Sequence, residues 1–257
     1  VGEPVIRIRG IEKSFGAQHV LRGVDLDVAR GKILCVIGRS GEGKSVLLKH
    51  VIGLLPPDAG DVLLGDTSMV HCKPKVRRRL LRRFGMLFQN SALFDSMTVF
   101  DNVAFPIREN GEKRLSKKEL AKIVEEKLEL VGLTGVSHKM PAELSGGMRK
   151  RVGLARAIAL DPEILLYDEP TTGLDPVRTH AVDQLILDTA RNLDVTSVVI
   201  THDMQAVFEI ADEVAFLYGG RIHVHCGPDE LRAHPSEVVQ SFLDGRPMAD
   251  ASAEQLA

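Results

Sequence analysis

Val5 to Gly10 (VIRIRG) alternates apolar and basic residues with period two, and VLRGVDLDVARG alternates again up to the turn at Gly31. Both predict half-buried strands, so an antiparallel β layer opens the chain. KILCVIG then gives a continuous β-branched run that ends in a glycine-rich turn and passes into the helical pattern SVLLKHVIGLL. This is a strand, loop and helix of a parallel sheet, and the architecture is α/β from there. Ser116 and Glu119 form a capping box, followed by Leu120, Ile123, Val124, Leu128 and Val131 at helical spacing until Gly132. A second helix is expected from about Gly147 to Leu160, stopped by Asp161 and Pro162. ILLYDEP, VTSVVITHD, EVAFLY and RIHVHC return to strand composition, the last two joined by a Gly-Gly turn. Residues 89–161 therefore predict a helical insertion between core segments 1–88 and 162–245, with 246–257 a polar, alanine-rich tail.

Composition narrows the function classes. The 257 residues, 44% hydrophobic and 26% charged, describe a chain able to bury its own core. Thirty-three basic against thirty-five acidic residues give a net charge of −2, without the global basic field of a dedicated nucleic-acid binder. Cys35, Cys72 and Cys226 are scattered, with no CxxC pair, which argues against a disulfide framework or a structural zinc site. Apolar stretches such as Ile33 to Ile37 fall far short of the roughly 18 residues of a membrane span, and no signal segment is visible at the N-terminus. A cytoplasmic location is expected.

Gly38, Arg39, Ser40, Gly41, Glu42, Gly43, Lys44 and Ser45 match GxxxxGK[ST] after a buried strand and before a helix that Val46 continues. Backbone amides at glycines can approach phosphate oxygens, the helix N-terminus adds partial positive charge, Lys44 suits the β- and γ-phosphates of a nucleotide, and Ser45 suits Mg²⁺. Ile164 to Tyr167 delivers Asp168 and Glu169 at a strand's C-terminal end, where open parallel sheets bind ligands. Asp168 is the candidate for the Mg²⁺ shell and Glu169 for polarising an attacking water. Ser145, Gly146 and Gly147, in LSGGM, open the second helix as another anion cradle, one more than a single nucleotide needs.

LSGGM just before a YDEP strand, with a glycine loop far upstream, resembles the ATP-binding-cassette (ABC) ATPase family over nearly the whole chain. The resemblance implies a P-loop NTPase fold with a RecA-like core, and a head-to-tail dimer in which each ATP lies between the phosphate loop of one copy and the LSGG segment of the other. It further implies that Phe15 stacks on adenine, that Gln89 contacts Mg²⁺ and couples to the membrane partner, that Asp175 is the D-loop aspartate, and that His202 senses the γ-phosphate. Taken singly, these four could be a core Phe, a surface Gln, a helix N-cap and a buried His. Their order along the chain favours the family roles. Met148 stands where the family usually has Gln, and Arg39 and Glu42 stand where proline and small residues are common.

One cassette without a second copy or long heptad arms points to a transporter subunit. After Gln89, NSALFDSMTVFDNVAFP carries Leu93, Phe94, Met97, Val99, Phe100, Val103 and Phe105, part core and part partner-facing surface. With the flanks of the two cradles, this stretch is similar to the ATPase of the Mla/Mce phospholipid-transport systems. That resemblance implies membrane permeases, an Mce-domain substrate-binding protein and in some members a STAS-domain regulator, with the ATPase peripheral on the inner face of the bacterial inner membrane and no nucleic-acid partner. The alternatives are an importer ATPase for amino acids or another small solute, and a nucleotide-gated assembly switch without transport. Lys73, Lys75, Arg77, Arg78, Arg79, Arg82 and Arg83 form a basic run at helical spacing that reads first as a solvated face and second as a site near anionic lipid. His223, His225 and Cys226 read as a terminal strand rather than a metal site.

Overall fold

The computed structural model describes residues 3–111 and 115–247. Its first elements are β1 (Pro4–Phe15), β2 (Gln18–Ala29), β3 (Ile33–Ile37), α1 (Lys44–Val51), β4 (Ala59–Leu64), β5 (Thr67–Ser68), α2 (Pro74–Leu81) and β6 (Phe84–Leu87). Then follow α3 (Val99–Asn110), α4 (Lys117–Leu130), α5 (Gly146–Ala157), β7 (Ile164–Asp168), α6 (Pro176–Leu193) and β8 (Thr196–Ile200). The chain ends in α7 (Met204–Ile210), β9 (Glu213–Tyr218), β10 (Arg221–Cys226), α8 (Pro228–Arg232) and α9 (Glu237–Leu243). Residues 81–197 form one compact unit, and the chain before and after them forms the other. Of the expected tail, residues 248–257 lie outside the described residues.

In the outer-segment unit, β2, β1, β4 and β5 make an antiparallel sheet in that order. Period-two alternation sends Ile6 and Ile8 inward, both essentially fully buried, while Arg7 pairs with Asp66 and Arg9 with Asp27 on the other face. β3 runs parallel to β9, which pairs antiparallel with β10. Beyond the last residue of β8, the Thr201 N–H donates to the Val36 carbonyl at 3.3 Å. All five residues of β3 are buried, as a parallel strand covered on both faces requires.

α1 fills the space between these layers. Leu47, Leu48 and Val51 meet Ile6, Ile8, Leu26 and Val28 on one side and Val36, Val198 and Ile200 on the other, around a residual cavity of about 10 Å³. That is at most one water probe in an apolar box. Each buried aliphatic side chain there contributes roughly 1.5–3 kcal/mol, so this packing fixes the helix that carries the phosphate loop.

In the 81–197 unit, β6 and β7 pair in parallel from Phe84 opposite Ile164 to Leu87 opposite Tyr167. α4 has both halves of its capping box, Glu119 N–H to Ser116 Oγ at 3.3 Å and Ser116 N–H to Glu119 Oε2 at 2.8 Å. α5 ends at Ala157, earlier than Leu160, and Asp161 then takes a left-handed φ of 50° where the buried Lys127 pairs with it. α3 was not legible as a helix. Thr98 caps it, Pro106 lies inside it, and Val99 and Val103 are fully buried whereas Phe94, just before it, is 40% exposed. α6 was missed as well. Among the described residues no helix is long and apolar enough to cross a membrane.

Candidate functional site

The phosphate loop leaves β3 through three glycines with positive φ: 153° at Gly38, 87° at Gly41 and 101° at Gly43. Two of them are also sites of close approach. A β-carbon at Gly38 would lie 2.4 Å from the Leu217 carbonyl oxygen, and one at Gly43 would lie 2.8 Å from Val20 and 2.9 Å from Leu21. The loop is thus wedged between β2 and the end of β9. Lys44, 6% exposed, folds back so that Nζ donates to the carbonyls of Gly38 at 2.8 Å and Arg39 at 3.0 Å.

Gly43 caps α1 without any side-chain hydrogen bond. By contrast α4, α5, α6 and α7 are capped by Ser116, Ser145, Asp175 and Asp203 side chains. Gly43 itself brings no capping side chain to the first turn of α1, whose amides, those of Lys44, Ser45 and Val46, are the donors an anion needs. Arg39, Ser40 and Gly41 form the exposed rim of the loop and Glu42 is half-buried. Glu42 points its carboxylate away into a hydrogen bond with the Gly219 N–H at 2.8 Å.

His202 stands in the same unit, exposed, just after β8 and one residue before the Asp203 cap of α7. The Thr201 contact to Val36 places it at the C-terminal end of the strand beside β3, the strand that feeds the loop. Phe15 ends β1 with 48% exposure, and the Lys13 ammonium lies 5.7 Å from its ring centroid. An aromatic face held at the surface can stack on a base. On β10, His223 bonds to Ser236 at 3.1 Å and His225 to Glu213 at 3.1 Å.

In the 81–197 unit, Asp168 ends β7 and Glu169 turns sharply away from it with φ 49°, a left-handed conformation for a non-glycine residue. Thr172 Oγ1 donates to Glu169 Oε2 at 2.7 Å and orients the carboxylate. Ser145 caps α5 by accepting from the Met148 N–H at 3.3 Å, with Gly146 and Gly147 in the first turn. Asp175 caps α6, accepting from the Arg178 N–H at 3.1 Å.

Gln89 is exposed at the end of β6, and its loop is gripped by residues the sequence reading missed. The Lys150 ammonium donates to the Gln89 carbonyl, and Arg156 donates to the carbonyls of Ser91 and Ala92, each at 2.7 Å. Ser91 and Ala92 both have positive φ, 61° and 44°. Gly153, between the two cations on α5, leaves room for the loop, since a β-carbon there would lie 2.8 Å from Leu87 and 3.1 Å from Ser91. Burial lowers the pKa of Lys150 and of Arg156. The side-chain amide of buried Asn102 donates to the carbonyls of Phe94, Met97 and Thr98 and shapes the next stretch. The helix behind LSGGM thus holds the glutamine loop through the backbone.

Comparison with known proteins agrees with this geometry. The family model described as ABC transporter matches residues 21–172. The chain is 46% identical over 242 residues to the probable ribonucleotide transport ATP-binding protein Mkl of Mycobacterium leprae, covering 94% of this chain and 69% of that one. It is 39% identical over 241 residues to the intermembrane phospholipid transport system ATP-binding protein MlaF of Escherichia coli K12, covering 94% and 89%. It is 43% identical over 244 residues to the methionine import ATP-binding protein MetN of Rhizobium johnstonii, covering 95% and 67%. Among solved structures, CbiO1 of Clostridium perfringens superposes with a TM-score of 0.81 at 27% identity, over 94% of this chain and 95% of that one. The cassette MJ0796, in a dimeric post-hydrolysis state bound to ADP and Pi, gives 0.77 at 26%, over 87% and 98%.

Proposed function

The chain belongs to the ABC transporter family as an ATPase subunit, and from that premise we propose that it powers the movement of phospholipids between bacterial membranes. The nucleotide half of the reading is carried by the phosphate loop, a glycine cradle over a helix end that Gly43 caps, with Lys44 held beneath it. The cargo half is supported by the match to MlaF along 89% of that protein. The match to MetN favours a second reading, an importer for an amino acid or another small solute.

In the proposed reaction a water oriented by Glu169 attacks the γ-phosphate in line, and the carboxylate takes its proton. Thr172 keeps that carboxylate aimed. Lys44, the α1 amides, His202 and Ser145 of the partner subunit hold the charge that develops on the phosphate oxygens. The oxygen donors of Ser45, Gln89 and Asp168 suit Mg²⁺, which when bound neutralises the β- and γ-phosphate oxygens. Phe15 stacks on the adenine, and Asp175 lies at the junction of two head-to-tail copies. Cargo selection belongs to partner proteins, namely permeases and an Mce-domain protein, with a STAS-domain regulator as a further candidate, and the ATPase sits at the inner face of the inner membrane.

Purification from the native membrane in mild detergent, with mass spectrometry of co-purifying proteins and lipids, tests this. An Mce-domain protein, a permease and phospholipid are expected. A periplasmic solute-binding protein would contradict the lipid cargo and favour the importer, and recovery without any membrane partner would contradict transport and favour an assembly switch.

A further inference from the structure

Between Asp66 and Asp95 the sequence holds seven lysines and arginines and no acidic residue. α2 sorts them. Arg77 turns inward and donates to the Met69 carbonyl, at 3.0 Å from Nε and 2.6 Å from one terminal nitrogen, and to Val70 at 3.2 Å, while Leu80 is buried. Lys75, Arg78 and Arg79 are exposed and lie at i, i+3 and i+4, on one outward face, with exposed Lys73 just before the helix. Among the described residues none of these four forms an ion pair. Like charges at this spacing destabilise a helix, so the fold supplies the repulsion and leaves the neutralising charge to come from outside.

Exposed apolar surface also lies near the inward side of the helix. Leu54 is 63% exposed and follows Gly53, whose β-carbon position would be 3.8 Å from Arg77 Nε. A cluster of unpaired cations on one helix face, with exposed aliphatic surface elsewhere in the same region, is the composition of an interfacial membrane contact. A free polyanion such as nucleic acid would instead call for a long-range basic field, and the net charge is −2.

We propose that the outward face of α2, with Lys73, Lys75, Arg78 and Arg79, docks on a bilayer surface rich in anionic phospholipid. The choice of a bilayer rests on the transporter reading above. The contact orients the ATPase toward its membrane without any residue of the nucleotide site taking part. Each cation near an anionic surface changes affinity about fivefold, and the attraction is screened over a distance of about 10 Å at 0.1 M salt.

The test is sedimentation of the full chain with phosphatidylcholine vesicles and with vesicles containing one third phosphatidylglycerol, at rising salt. Binding to the anionic vesicles alone is expected, fading with salt. Lys75→Gln with Arg79→Gln should weaken it about twenty-five-fold, and Lys75→Glu with Arg79→Glu further still, with nucleotide affinity unchanged as the check on folding. Equal binding to both vesicle types, or undiminished binding by the charge-reversed chain, would overturn the proposal. So would duplex DNA binding with the same charge sensitivity and no vesicle binding. The assay needs no permease, so its failure leaves the transporter reading standing, and a co-purification result against that reading leaves the vesicle result intact.

Discussion

The Glu42 carboxylate accepts the Gly219 N–H at 2.8 Å, joining the phosphate loop to the turn between β9 and β10. The next residue of that turn, Gly220, accepts from the Arg22 N–H at 2.8 Å and leaves no room for a β-carbon, which would lie 2.6 Å from the Val20 carbonyl oxygen. Loop, turn and β2 therefore form one closed circuit, in which Glu42 is a positioning residue whose charge is directed off the cradle.

Glu42→Ala opens that circuit. A hydrogen bond to a charged group contributes about 1.5–3 kcal/mol, and half-burial places this one toward the lower end. KM for ATP should rise about tenfold with kcat little changed. Glu42→Gln keeps an acceptor for the Gly219 N–H, so its KM should stay near the parental value. Equal KM values for the two variants in steady-state kinetics would show that the contact does not position the loop.

The glutamine loop offers a second test. Gly153→Ala puts a methyl group 2.8 Å from Leu87 and 3.1 Å from Ser91, and such overpacking costs about 1–3 kcal/mol. Lys150→Met removes the donor to Gln89. Both should lower the unfolding midpoint and weaken stimulation of ATP turnover by the membrane partner, with nucleotide binding retained. Stimulation at the parental level in both variants would separate the loop from coupling.

Acid stability follows from Asp101. Its carboxylate accepts from Thr98 Oγ1 and from Arg108, both at 2.8 Å, and these bonds hold its pKa below the usual 3.8. A depressed folded pKa gives stability that is present above 3.8 and lost as pH falls through the lower folded value. Asp101→Asn should therefore flatten the acid limb of the unfolding midpoint below that pH and leave the Thr98 backbone cap of α3 in place. An unchanged acid limb would mean that other carboxylates govern it.

What could be read from the sequence was what has a local signal. β3 and the phosphate loop announced themselves by a buried run followed by glycines, and α4 by a capping box and a 3.6-residue period. α3 was hidden by Pro106 and by buried Asn102, a polar residue on the face that packs inward. α6 was hidden similarly, since Asp183 and Thr189 are buried beside Val182, Ile186 and Ala190 and break the apolar stripe. Lys150 and Arg156 were missed for another reason. Their partners are backbone carbonyls far upstream, 61 residues away for Lys150 and 64 and 65 for Arg156, and a carbonyl has no side-chain signature. Their three-residue spacing with Gly153 on one face of α5 was the available clue.

In the proposed reaction Glu169, in the left-handed turn after β7, drives ATP hydrolysis. The most direct measurement is ATP turnover by the Glu169→Gln chain alongside its ATP affinity. Loss of a general base lowers turnover about 10²–10⁴-fold, so that loss is expected with ATP binding intact and a dimer trapped on ATP. Turnover at the parental rate would contradict the role of Glu169 and the mechanism built on it.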